Sequence, residues 1–299
     1  MMTIYDSLTE KFYTWSLQHA EIDFKEDPLK DYPKEKFVFF EFNDKEDKML
    51  EHFLNWYESN YPDVNYGWNT KAYDIPYLVR RIENVLGKSE AQRLSPIKKY
   101  FIKDVNHENK RTDASADIEV NVDGLFIADG LALYRDKFGM AKPDGGFTLD
   151  NIGEHEGCGH KIKYSGTLKD LYLKDYQKFY EYNVRDVDLA KRIDDKCKMI
   201  KLARTITSFG LSQYPTIYSS ISYLVGSVTA FAKTEMNRVF TSYLKEKKTF
   251  SGFEGAFVFP MQKGLRKKGI ATIDFASLYP SNIRSINASP ETYKGKVLI

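Results

Sequence analysis

Cysteine is scarce in this sequence, with only Cys158 and Cys197 among 299 residues. Two thiols are too few for a disulfide framework, which excludes the small secreted scaffolds and suits a reducing compartment. No run of about 18 apolar residues occurs, so nothing here is built to span a bilayer. The opening "MMTIYDSLTEKFYTW" lacks the basic start and apolar stretch of a secretory signal, and the protein is expected to stay inside the cell. Excess charge of one sign is missing too: 44 basic and 42 acidic residues leave +2. Composition therefore neither demands nor excludes a polyanionic partner, and any nucleic-acid surface must be local. The densest basic stretch, "QKGLRKKG" with Lys263, Arg266, Lys267 and Lys268, reads equally well as a solvated turn. Repeats and low-complexity tracts are also absent.

What is present is an ordinary globular composition, 42% apolar and 29% charged, on a chain long enough for two domains. "MTIYDSLTEKFYTWSL" alternates as a hairpin, with Ile4 and Tyr5 before the turn and Phe12 to Trp15 after it. "KFVFFEFND" predicts a strand over 36–42, and Asn43 with Glu46 predicts a capping box for the helix that follows. That helix, Lys45 to Asn60, sets Met49, Leu50, Phe53, Leu54 and Tyr57 on one face. "VNYGW" predicts a short strand, and Asp74 to Leu86 a helix closed by Gly87. Strands alternating with amphipathic helices indicate an α/β domain. Residues 100–165 read as less regular, with loops at "KPDGGFT" and "GEHEGCGH"; a long helix is expected from Asp175 to about Lys201, then connector helices over 202–247. From about residue 253, "GFEGAFVFP" and "GIATIDFASLYP" predict strands.

Three carboxylate settings invite chemistry. In "YGWNTKAYDIPYLVRR" a strand ends at Trp68, Asn69 occupies the turn and Asp74 opens a helix, beyond the carboxyl end of a strand where α/β sheets bind ligands. Asp at a helix start is usually a cap, and from this segment alone capping is the preferred reading of Asp74. In "FYEYNVRDVDLAKR" Tyr182 and Asp186 lie four residues apart on one helical face, although charged residues on a long helix also form solvated faces. In "IATIDFASLYPS" Asp274 follows an apolar strand and precedes a tight turn, a setting suited to a hard cation that keeps positions open for phosphates. His155, Cys158 and His160 have metal-like spacing without a fourth ligand and are read as loop residues.

Taken together, these segments resemble the family B DNA polymerases, most of all those of T-even-type tailed phages. "DFASLYPSNIRSINASPET" is similar to the first palm motif and "GAFVFP" to the short motif between exonuclease and palm. "GWNTKAYDIPY" resembles the second exonuclease motif and "YNVRD" the third. Four motifs in family order are far more specific than any one alone. The resemblance implies an α/β fold: an RNase-H-like 3′–5′ exonuclease domain over 1–204, incomplete at its N-terminus, a helical connector over 205–247, and the beginning of a polymerase palm over 248–299.

By the same resemblance, Asp74 and Asp186 hold two Mg²⁺ ions for the exonuclease and Tyr182 orients the attacking water. Asn69 and Tyr73 place the frayed strand, and Gly255 and Ala256 contact DNA. Asp274 holds the ions for nucleotidyl transfer, with Phe275, Ala276, Ser277 and Leu278 near the incoming dNTP. Tyr279 packs under the deoxyribose to exclude a 2′-hydroxyl. The implied partners are a DNA primer-template and dNTP, in the cytoplasm of an infected bacterial host, with no membrane.

The family's first exonuclease motif, an Asp-x-Glu strand upstream of the hairpin, is not found in place. Asp117-Ile118-Glu119 spells it, but between the second and third motifs, and is read as coincidence. The second palm motif, fingers and thumb are not found either. The expectation is an internal piece of a polymerase, from a split enzyme or a gene fragment, needing partner polypeptides for activity. The competing readings are a catalytically inert DNA-binding or structural piece, and a free-standing 3′–5′ exonuclease in which Glu21, Asp23 or Glu119 replaces the absent pair.

Overall fold

The computed structural model describes residues 1–19, 22–23, 31–104, 118–137, 143–239, 257–260, 264, 269, 271, 273–289 and 292. The chain divides into two units, Met1–Ser242 and Tyr243–Ile299.

In the first unit the alternating N-terminal pattern becomes strands β1 (Met2–Asp6) and β2 (Lys11–Ser16), antiparallel with Ile4 opposite Tyr13. Strand β3 (Phe37–Glu41) lies on the far side of β2 and runs parallel to it, bringing Trp15 beside Phe40. Helix α1 (Glu46–Ser59) buries Met49, Leu50, Phe53, Leu54 and Tyr57, the stripe that the 3.6-residue period requires. Trp15 is fully buried against it and donates its indole N–H to His52 Nδ1 at 2.9 Å. Burying side chains of this size stabilises the fold by roughly 1.5–3 kcal/mol each.

Next come β4 (Val64–Gly67), α2 (Asp74–Val85), α3 (Lys88–Ala91), β5 (Tyr100–Asp104), β6 (Ile118–Val122) and β7 (Phe126–Asp129). The expected capping box before α1 does not form. Asn43 and Asp44 both take positive φ in a turn where Asp44 N–H donates to the Leu17 carbonyl, and Lys45 precedes the helix without a side-chain cap. Glu46 is drawn instead to Arg81 of α2, whose Nε reaches its Oε1 at 2.6 Å.

Among the described residues of 100–165, the span that the sequence presents as less regular, three strands form. Strands β5 and β6 form an antiparallel pair, and β7 pairs in parallel with β4, Gly67 opposite Asp129. β7 is buried at all four positions, and so short an apolar run carries no period that separates strand from loop. A parallel pair also needs a long crossover between its strands, here the whole segment from α2 to β6.

Helices α4 (Gly130–Ala132), α5 (Leu149–His155), α6 (Leu168–Lys174), α7 (Tyr176–Cys197) and α8 (Met199–Phe209) follow, then a 3₁₀ turn, Tyr214–Tyr218, and α9 (Ser220–Met236). The single long helix expected over 175–201 is two, broken at Lys198 with φ 56°. Asp194 makes the break: its carbonyl accepts Lys198 N–H at 2.6 Å and its carboxylate accepts Ile200 N–H at 3.0 Å. One residue thus ends the first helix and caps the second.

Unit two is described mainly through α10 (Leu278–Ser285). The strands predicted at "GFEGAFVFP" and "GIATIDFASLYP" do not form among the described residues there, where Phe257, Val258, Phe259 and Ile273 are exposed. An apolar run becomes a strand when a neighbour completes its ladder, and the described residues of this unit offer none.

Candidate functional site

Strands β4 and β7 run side by side and end together, so the segments leaving them meet at one edge. After β4 the chain passes Trp68 and turns at Asn69, which takes φ 63° and is exposed. The Asn69 carbonyl accepts the N–H groups of Ala72 and Tyr73, both at 3.2 Å, and the Thr70 carbonyl accepts Ile75 N–H at 3.0 Å. This knotted turn presents Asp74 as the first residue of α2, preceded by Tyr73 without a side-chain cap. The Asp74 side chain is therefore available for other work. Tyr73 and Tyr77, one turn apart, are both exposed, with nearly parallel rings 6.3 Å apart.

At the end of β7, Asp129 is buried (4% exposed) and accepts the N–H groups of Lys71 (3.0 Å) and Ala132 (3.1 Å). Helix α7 brings in Tyr182 and Asp186 on one face. Both meet Lys161, whose Nζ lies 2.7 Å from Asp186 Oδ2 and 3.2 Å from Tyr182 Oη. Lys161 is held by its own N–H, which donates to Asp150 Oδ1 at 2.6 Å. Tyr164 packs edge-on to Tyr182 with centroids 5.3 Å apart.

The electrostatics match this crowding. Asp74 keeps access to solvent, yet the protein atoms around it raise its pKa; the Thr70 hydrogen bond opposes this, and the charges of Asp129 and Asp186 add to the rise. Asp186 is also raised, chiefly by burial, which outweighs its hydrogen bond and ion pair to Lys161. Lys161 loses by burial and gains more from Asp186, so its ammonium is held charged. Asp186 Oδ1 is buried with no hydrogen-bond partner. Two carboxylates in each other's field, one with an orphaned oxygen, form a donor set that fits a hard divalent cation completed by substrate oxygens. Among the described residues no group of three or more His, Cys, Asp or Glu side chains is arranged to hold a metal.

The other candidates divide. Glu21 and Asp117 lie outside the described residues, as do Gly255, Ala256 and the basic residues of "QKGLRKKG". Asp23 is tied by its backbone to Gln177 of α7. Nine residues separate Gln177 from Asp186, about 13 Å along the axis and half a revolution around it, so Asp23 sits on the far side. Cys158 donates weakly to the carbonyls of Glu156 and Arg192, and no metal cluster gathers around it among the described residues.

In unit two, Asp274 to Tyr279 are exposed and lead into α10, with Ser277 at φ 53° and no side-chain cap on the helix. The N–H groups of its first turn are accordingly open to an acceptor.

Lys161 and Asp129 escaped the sequence reading. Asp129 had a visible signal, an apolar run "LFIA" ending in Asp, as the run before Asp274 also does. Lys161 had none, because "GHKIKY" is one more basic loop until the fold brings it to α7.

Comparison with known proteins converges on one family. Residues 10–152 match the model "DNA polymerase family B, exonuclease domain", and residues 217–298 match "DNA polymerase family B". The chain belongs to the family B DNA polymerases. The first match contains Asn69, Tyr73, Asp74 and Asp129, and the second contains Asp274 to Tyr279. The DNA-directed DNA polymerase of Escherichia phage RB69 is 31% identical over 311 aligned positions, covering 98% of this chain and 33% of the phage protein. That of Enterobacteria phage T4 is 28% identical, covering 99% and 33%. The DNA polymerase delta catalytic subunit of Candida albicans is 27% identical, covering 84% and 24%. The chain thus spans about a third of the length of the phage relatives it matches. No helix among the described residues is long and apolar enough to cross a membrane.

Proposed function

We propose that this chain carries the 3′–5′ exonuclease acids Asp74 and Asp186 and the first palm motif of a phage-type replicative DNA polymerase, in an RNase-H-like domain followed by connector and palm. The observation that carries the reading is the meeting of Asp186, Tyr182 and Lys161, with Asp74 in the field of Asp186 and an orphaned oxygen on Asp186. Asp74 and Asp186 hold Mg²⁺, which when bound supplies the charge that activates a water and stabilises the leaving oxygen. Tyr182 orients that water, and Lys161 fixes the Asp186 carboxylate. Asn69 and the exposed rings of Tyr73 and Tyr77 receive the unpaired 3′ end, since a base stacked on an aromatic ring gains about 1–3 kcal/mol.

In unit two Asp274 holds the ions for nucleotidyl transfer, the uncapped N–H groups after Phe275, Ala276 and Ser277 receive the triphosphate, and Tyr279 excludes a ribose 2′-hydroxyl. The substrates are primer-template DNA and dNTP in an infected bacterial cell. An Asp-x-Glu strand and the remaining palm, fingers and thumb reach the site from other segments or partner polypeptides.

The test is digestion of a 3′-labelled single-stranded oligonucleotide with Mg²⁺, and primer extension, both with polypeptides supplying those parts present. Asp74→Ala and Asp186→Ala should abolish digestion and leave extension, while Asp274→Ala should do the reverse. The inert reading wins if all three variants leave both activities and DNA affinity unchanged.

A further inference from the structure

The 3₁₀ turn Tyr214–Tyr218 begins the segment that matches the polymerase model, yet its side chains are built into the exonuclease side of the molecule. Tyr214 stacks on Phe126 of β7, with centroids 5.2 Å apart and rings within 11° of parallel. Tyr218 lies tilted against the same ring at 5.8 Å and makes two further contacts. Its hydroxyl accepts the Asp129 N–H at 2.7 Å, and its ring lies 4.0 Å below the Lys71 ammonium. Asp129 in turn accepts the Lys71 N–H at 3.0 Å. Three residues therefore close a ring of contacts: Tyr218 to Asp129, Asp129 to the Lys71 backbone, and the Lys71 side chain back to Tyr218.

Lys71 belongs to the turn that presents Asn69 and Asp74. That turn is bonded within itself through the carbonyls of Asn69 and Thr70, so it moves as a body. A restraint on Lys71 is then a restraint on Asp74, three residues on. The tilted Tyr218 ring, the cation above it and the hydrogen bond from its neighbour all act on one short loop at a partly desolvated site, and together they favour one arrangement of it.

We propose that Tyr218 is a positioning residue for the exonuclease acid Asp74, the point through which the connector entering the polymerase segment fixes the loop of the second exonuclease motif. The proposal rests on the exonuclease reading above for the role of Asp74. It identifies Tyr218 as a mechanical link, within Met1–Ser242, between the 3₁₀ turn and the loop before α2, and the geometry of the link does not depend on that role.

The experiment compares the full chain with Tyr218→Leu, which removes ring and hydroxyl, and Tyr218→Phe, which removes the hydroxyl alone. Backbone amide resonances of residues 69–74 report the loop, those of α1 serve as an internal control, and Mn²⁺ titration followed by electron paramagnetic resonance reports metal affinity. In Tyr218→Leu the 69–74 resonances should move and Mn²⁺ should bind about tenfold more weakly, the low end for a residue supporting metal ligands. Tyr218→Phe should restore the cation contact and most of both signals, with α1 unmoved throughout.

Unchanged loop resonances and Mn²⁺ affinity in Tyr218→Leu would overturn the proposal, as would equal shifts spread through α1. If the wild-type chain binds no Mn²⁺ near Asp74 and Asp186, the exonuclease reading falls instead, and the amide comparison alone decides whether Tyr218 holds the loop. Should Tyr218→Leu fail to fold, Tyr218→Phe decides: loss of the hydroxyl must shift the Asp129 amide, and an unshifted Asp129 amide refutes the link.

Discussion

Asp186 is stabilised and burdened by the same neighbours. Burial raises its pKa, and the Lys161 ammonium at 2.7 Å supplies the charge that keeps the carboxylate tolerable with Oδ1 unpartnered. Removing the cation leaves a carboxylate that is half-buried and unpaired, so Lys161→Met should cost about 1–3 kcal/mol. The double variant Lys161→Met/Asp186→Asn should recover most of that loss, because charge and counter-charge leave together. Urea unfolding of the four proteins measures the coupling, and a single-variant cost no larger than that of the double would show that the pair is idle. Tyr182 and Asp186 could be picked out of the sequence because they lie four residues apart on a helix, and Asp74 because it opens a helix after a strand and turn. Lys161 could not, since its role exists only once the 158–164 segment, pinned through Asp150, is laid against α7.

Elements that declare themselves by period formed as read: the five buried residues of α1 are those that helical spacing marks in the sequence. Elements that depend on a distant partner did not. β7 needed β4, and the apolar runs of unit two form no strand among the described residues. Close approach between elements also reverses local preference at Gly153 in α5. A Cβ there would lie 2.7 Å from the Gly159 carbonyl oxygen and 2.8 Å from a Leu189 methyl carbon. Helix propensity favours alanine over glycine by about 1 kcal/mol, but this contact is with backbone that cannot swing away, so Gly153→Ala should destabilise by about 1–3 kcal/mol. A stabilised variant in thermal unfolding would refute this.

Glu58, in the last turn of α1, ties that helix to the segment after α3 through Arg93 and Lys98. Their hydrogen bonds lower its pKa from 4.5 to about 2. A carboxylate depressed in the folded state adds stability that is complete above its unfolded pKa and is lost as pH falls through the folded value. The stability difference between the wild type and Glu58→Gln should therefore be constant above about pH 4.5 and shrink towards pH 2. A difference independent of pH over that window would show that the ties do not act.

At the scale of the whole molecule, the three buried clusters of the described residues all lie within Met1–Ser242. One gathers around Trp15 and α1, one around β7 and the α7–α8 pair, and one joins Phe12 to Tyr180 and Val184. The sequence's three tryptophans, Trp15, Trp56 and Trp68, belong to the same unit. The turn Tyr214–Tyr218 belongs there too, because Tyr214 and Tyr218 pack on Phe126. A polypeptide ending at Ser242 therefore retains every buried cluster and every indole reporter described. If hydrophobic burial decides the stability of this unit, that polypeptide should show the same tryptophan-fluorescence urea midpoint as the full chain. It should also keep the 69–74 amide resonances of the full chain, since their restraint through Tyr218 lies inside the same boundary. A midpoint that falls on truncation would mean that residues 243–299 stabilise the exonuclease half directly, and the division at Ser242 would then not be a thermodynamic one.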